Sequence, residues 1–215
     1  MGLDSSYNTE VKAAFIITIK GHANSEKLSE RCRNSCENTG MPCEVWPAIN
    51  GTNNKVKLPD IPHLNWIKNV GRHVSTSEAA CALSHYSLWC HCLTIDQPIV
   101  ILEHDALMVQ PYLQHRHYNC IEFLGCKEQV KQGWKVYPTP PHSTMGHNYH
   151  FINRAHAYSI DPAVARNMVA YLLKYGISDA LDVMLRADIF PITQTGIYAY
   201  DDDNALSTIA HNNSK

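Results

Sequence analysis

The 215-residue chain has no apolar run approaching the roughly 20 residues that a membrane helix needs. Its opening segment, MGLDSSYNTEVKAA, contains no apolar stretch of the kind that heads a secretory signal. A cytoplasmic protein without a transmembrane segment is therefore expected. There is no basic excess either: 18 Lys and Arg stand against 20 Asp and Glu, and the basic residues are scattered. That excludes the electrostatic footprint of a nucleic-acid binder. The eight cysteines include no C-x-x-C pair, and Cys81 and Cys90 fall inside apolar helical sequence, so buried thiols in a reducing compartment are expected rather than disulfides. Internal repeats and low-complexity linkers are absent. Gly2 with Ser6 fits a myristoylation pattern, and Asn50 and Asn212 head glycosylation sequons, but such short patterns recur by chance.

With 45% apolar residues, the chain can bury one sizeable core. "AAFIITI" (13–19) is a buried strand by its β-branched run, and "CEVWPAI" (43–49) is a second, closed by Asn50-Gly51. Between them, Leu28, Cys32 and Cys36 recur at helical spacing, with Gly40 just past the end. Ser75 and Glu78 form a capping box ahead of a helix over 76–95. Asp161, Pro162 and Gly176 bracket another over 161–176. Further strands are expected over 98–103, 119–125 and 190–200, with irregular loops over 51–74 and 133–156. Strand, helix, strand in this order argues for parallel pairing in an α/β fold. The expected organisation is a flexible segment over 1–12, one domain over 13–210 and a tail over 211–215.

The stretch "PIVILEHDALMV" (98–109) poses the functional question, because an apparently buried strand ends on Glu103, His104 and Asp105. If strand geometry persists, residues two apart share a side, so Glu103 and Asp105 face one way and His104 the other. Two like charges beside a buried strand repel and lose solvation, and a divalent cation makes the arrangement favourable. Carboxylate oxygens select Mn²⁺ or Mg²⁺ over softer metals. Ligands of open α/β sheets gather at the carboxyl ends of the strands, where this pair sits. The alternative is a solvated turn after Leu102. Thirteen histidines include "QHRHY" (114–118) and "HSTMGHNYH" (142–150), whose spacing follows no structural zinc site, and His211 in the tail could complete a metal site.

"SEAACALSHYSLW" followed by "PIVILEHDA" resembles the core of glycosyltransferase family 25, the lipopolysaccharide and collagen galactosyltransferase group. That family has a helix like "G-E-x-G-C-x-x-S-H-x-x-x-W" and then a strand ending "L-E-D-D-A". "VWPAINGT", "CIEFLG", "RAHAYSIDPAVARNMV" and "DALDVML" are similar to further family segments, in the same order. The resemblance implies a GT-A-like fold, a Rossmann-type, mostly parallel sheet flanked by helices. It also implies a UDP-sugar donor, Mn²⁺ (or Mg²⁺) at the acidic motif, and transfer of a hexose, galactose or glucose, with inversion. The acceptor hydroxyl would belong to a glycan, a lipid-linked sugar or a protein. Carried over by motif, Asp105 and Glu103 hold the metal. Arg31, Glu78, Ser84, His85, Glu103 and His156 bind the donor, with Tyr158 completing "H-A-Y". Asp182 is the first choice of catalytic base and Asp179 the second. His104 departs from the family's usual Asp, which leaves open a degenerate member that binds nucleotide-sugar without turnover. A metal-dependent phosphohydrolase sharing only the acidic strand end is a further alternative.

Overall fold

An uninterrupted run of small and branched apolar side chains suits the middle of a sheet, and Ala14–Thr18 (β1) is buried along its whole length. A computed structural model of the chain describes residues 11, 13–51, 65–69, 71–112, 119–125, 155–194 and 198–201. The expectations for the N-terminal segment, for most of the two long loops, for the histidines of 114–118 and 142–150, and for His211 and the tail lie outside these residues.

After β1 come α1 (Ala23–Asn38), β2 (Cys43–Pro47), α2 (Thr76–Ile95), β3 (Ile99–Glu103), β4 (Ala106–Met108) and β5 (Ile121–Phe123). Then follow β6 (Ala157–Ile160), α3 (Pro162–Tyr175), the single turn α4 (Leu181–Met184), β7 (Ile192–Gln194) and β8 (Ala199–Asp201). The main sheet has the order β2-β1-β3-β6-β5-β7. β2 and β3 both run parallel to β1, placing Cys43 and Val100 opposite Ala14. β6 alone is reversed, antiparallel to β3 and β5, while β7 runs with β5. This is a mostly parallel, Rossmann-like α/β sheet, as the strand-helix-strand order leads one to expect.

Strand alternation divides the core. Phe15, Ile17, Ile99 and Ile101 pack with Leu83 and Leu88 of α2 and Val164 and Met168 of α3. Ala14, Ile16, Val100 and Leu102 pack with Cys32 and Cys36 of α1 on the other face. Ile99 to Leu102 are at most 1% exposed, and burying each stabilises the fold by about 1.5–3 kcal/mol. The helix ends follow local chemistry. The Glu78 amide donates to Ser75 Oγ at 3.2 Å, and the Ser75 amide to Glu78 Oε2 at 2.8 Å. Asp161 caps α3 by accepting from the amides of Ala163 and Val164. Gly176, at φ +72°, ends it where an added Cβ would lie 2.9 Å from the Asn65 carbonyl oxygen. That close approach lets Ile67 pair with Ile177, fixing the segment that leads to α2.

Two expectations are corrected. The single strand over 190–200 is two: β7 belongs to the main sheet, while β8 pairs with β4 in a separate two-stranded ribbon. A strand that was not foreseen, β6, inserts between β3 and β5. No helix of the described residues is long and apolar enough to cross a membrane.

Candidate active site

Alternation along β3 decides where its acidic end points. Glu103 keeps the parity of Ile99 and Ile101 and so faces α2, where its Oε1 lies 3.3 Å from His85 Nε2 and 3.9 Å from Cys81 Sγ. The strand stops there. His104 and Asp105 form the turn into β4. All three line one cleft, with Ile17 and Ile19 of the β1 edge, Ala48, Ile49 and Gly51 beyond β2, and one side of α2.

The cleft wall depends on a close approach. A Cβ on Gly51 would lie 2.8 Å from both Ala80 Cβ and the Thr76 carbonyl oxygen, so only glycine lets this loop rest on the first turns of α2. Ser84 holds the same contact from the helix. Its Oγ donates to the Ala80 carbonyl at 2.7 Å and accepts from the Ile49 amide at 2.9 Å. Ser84 therefore positions the wall as well as lining it.

His85 is fully buried. Its Nδ1 lies 2.7 Å from the Tyr158 hydroxyl, to which Trp89 Nε1 donates at 3.0 Å. An ionised carboxylate only accepts, so the nitrogen facing Glu103 carries a proton, and a neutral imidazole then accepts from Tyr158 at Nδ1. Burial works to raise the Glu103 pKa, but His85, with the charges of His104 and His156, outweighs it, and the carboxyl ends below its ordinary value. His104 goes the other way. Burial, aided by His22, pushes its pKa down against the pull of Glu103. His104 Nε2 is buried in this cleft with no hydrogen-bond partner among the described residues.

The remaining candidates separate. The His156 carbonyl accepts from the Glu103 amide at 2.8 Å, and its buried ring meets Phe123 edge-on, so it backs the strand end. Glu78 and Asp179 are bridged by Arg72, whose guanidinium donates to Glu78 Oε1 at 2.9 Å and, through Nε, to Asp179 Oδ1 at 2.7 Å. Asp182 sits half-buried in the first turn of α4; burial pushes the Cys81 thiol up, and the charges of Glu103 and then Asp182 add to it. Arg31 is exposed on α1 and does not line the cleft.

Sequence reasoning missed Arg72, whose partner Asp179 is 107 positions away. It also read Cys81 as one of the buried core thiols. The described cysteines are indeed free, but Cys81 lines the cleft. The signal available was its spacing of one helical turn from His85, on the face that meets Glu103.

An acidic turn at the carboxyl end of a buried parallel strand, beneath a helix that closes a cleft, defines a ligand-binding domain of the Rossmann-like class. The family model of glycosyltransferase family 25 (LPS biosynthesis protein) matches residues 12–185, and the chain belongs to that family of glycosyltransferases. No curated protein matches it.

Proposed function

We propose that the protein is a GT-A-type, metal-dependent hexosyltransferase of the cytoplasm that passes galactose or glucose from a UDP-sugar to an acceptor hydroxyl with inversion. The observation that carries this reading is the turn Glu103-His104-Asp105, whose residues line one cleft at the carboxyl end of β3. Hard carboxylate oxygens beside a buried imidazole nitrogen without a hydrogen-bond partner fit Mn²⁺, or Mg²⁺. Asp105 and Glu103 would hold the ion, which supplies charge neutralisation at the departing diphosphate.

The chain's own residues account for the rest. His85, braced by Tyr158 and Trp89, fixes the Glu103 carboxylate and keeps it ionised. Ser84 and Gly51 hold the wall against which the donor lies. Asp182 takes the acceptor hydroxyl's proton from the face opposite the leaving group. It is preferred over Asp179 because it matches the aspartate of the family segment that "DALDVML" resembles. Neither Arg31 nor Asp182 is among the residues lining the cleft, so their roles toward donor and acceptor rest on the family motifs. Glu78 acts by holding Arg72 at the helix start.

A thermal-shift titration tests the reading. UDP with Mn²⁺, well above its dissociation constant, is expected to add roughly 2–4 kcal/mol of apparent stability, and UDP with EDTA much less. Equal stabilisation in both buffers contradicts the metal bridge. A second reading, nucleotide-sugar binding without transfer, is favoured by one observation, that His104, standing where the family has Asp, is among the residues lining the cleft.

A further inference from the structure

Cys81 and His85 lie one turn apart on α2 and converge on Glu103 of β3, and one ligand atom from each falls within 4.8 Å of the other two. We propose that this trio is a second metal site, sharing Glu103 with the hard-oxygen turn but set apart by its sulfur and nitrogen donors, that takes Zn²⁺ through a thiolate, an imidazole and a carboxylate, with its fourth position open to the cleft. The inference does not depend on the transfer reaction.

Ligand distances support it. Tetrahedral zinc with sulfur at about 2.3 Å, nitrogen at about 2.05 Å and oxygen at about 2.1 Å sets nitrogen and oxygen about 3.4 Å apart, and sulfur and oxygen about 3.6 Å apart. The corresponding separations are 3.3 Å for His85 Nε2 to Glu103 Oε1 and 3.9 Å for Cys81 Sγ to the same oxygen. Adjustments of about 0.1 and 0.3 Å bring these two pairs to coordination geometry.

The site is also built around its histidine. The His85 side chain is 1% exposed, and its Nε2 makes no well-aligned hydrogen bond, although Glu103 faces it. Its other nitrogen is held by Tyr158, which is held in turn by Trp89. A metal-binding imidazole ordinarily donates from its second nitrogen, and the Tyr158 oxygen, 2.7 Å from Nδ1, is placed to accept in that tautomer. On binding, Cys81 gives its S–H proton to the buffer, and the His85 proton moves from Nε2 to Nδ1, where it is donated to the Tyr158 oxygen. The Zn–S, Zn–N and Zn–O bonds then form, Glu103 already carrying its charge. Sulfur and imidazole select Zn²⁺ over Mn²⁺ here, whereas oxygen donors favour Mn²⁺ at Asp105.

The test uses the full chain stripped with EDTA, with Co²⁺ as the spectroscopic probe and Zn²⁺ as competitor, in the absence of nucleotide. Expected are the visible bands of tetrahedral Co²⁺, a near-ultraviolet thiolate-to-cobalt charge-transfer band, and displacement of both by Zn²⁺. Cys81→Ser is expected to lose the charge-transfer band and more than tenfold in Zn²⁺ affinity. A charge-transfer band that survives in this variant comes from another thiol and overturns the proposal, as does a wild type showing only weak octahedral cobalt bands. Alkylation of the wild type, mapped by mass spectrometry, serves if the variant does not fold. Zn²⁺ but not Mn²⁺ is expected to protect Cys81 at least tenfold, and equal labelling with and without Zn²⁺ contradicts the site.

Discussion

Replacing Tyr158 with Phe removes one oxygen from a fully buried ring and changes almost nothing else in shape. The lost hydroxyl is the shared partner of His85 Nδ1 at 2.7 Å and Trp89 Nε1 at 3.0 Å. Both groups are buried, at 0% and 2% exposure, so water does not replace the oxygen without opening the core. Each orphaned buried group costs about 1–3 kcal/mol, and with some relaxation the pair should cost about 2–4 kcal/mol. For a chain of this size, 1 kcal/mol corresponds to roughly 2–4 °C, so Tm should fall by roughly 4–16 °C. Urea unfolding of the wild type and Tyr158→Phe, followed by circular dichroism and tryptophan fluorescence, measures the difference. Tyr175→Phe, on a ring that is 50% exposed, is the control and should stay within about 0.5 kcal/mol. A loss below about 0.5 kcal/mol in Tyr158→Phe would refute the claim that this hydroxyl supports the site.

Gly51→Ala brings a Cβ to 2.8 Å from backbone and side-chain atoms of α2, and overpacking of this kind should cost about 1–3 kcal/mol, read as a lower urea midpoint. Burial tends to raise the Glu78 carboxyl, but Arg72 and Ser75 hold it below its ordinary value. A depressed carboxylate stabilises the fold above the unfolded pKa near 4.5, and that contribution is lost as pH falls through the folded value. Arg72→Ala should flatten this acid limb of the stability-pH curve, and an unchanged limb would show that the pair is solvated and idle. Asp105→Asn should keep the fold, leave apo stability equal or higher because a cleft charge is gone, and lose the Mn²⁺-dependent part of UDP stabilisation. A thermal-shift series that finds the variant as responsive as wild type would reduce Asp105 to a turn residue.

The parts of the fold that could be read from sequence are those whose stability is local or whose burial is continuous. β1 and β3 are uninterrupted apolar runs, and α2 and α3 carry their caps in Ser75, Glu78 and Asp161, so their limits follow from residues within a few positions. β6 is four residues long and follows a polar stretch rich in His, and its place in the sheet comes from pairing with β3, whose partner residues lie 55 to 61 positions earlier. Likewise, nothing in "FPITQTGIYAY" marks the point where the chain leaves one sheet for another. At the site, the acidic strand end was legible because three polar residues interrupt a buried run. Arg72 and Cys81 acquire their roles only through partners distant in sequence, Asp179 and Glu103.

The claim that the cleft transfers sugar is tested most directly by following UDP release from UDP-galactose and UDP-glucose with Mn²⁺ present, with water standing in for the acceptor. The account expects slow, EDTA-sensitive hydrolysis of one donor by the wild type, reduced at least a hundredfold in Asp105→Asn and in Asp182→Asn. Suppose instead that the wild type binds the donor yet releases no UDP, and His104→Asp then creates the activity. That result would contradict transfer by this chain and leave it a nucleotide-sugar-binding member of its family.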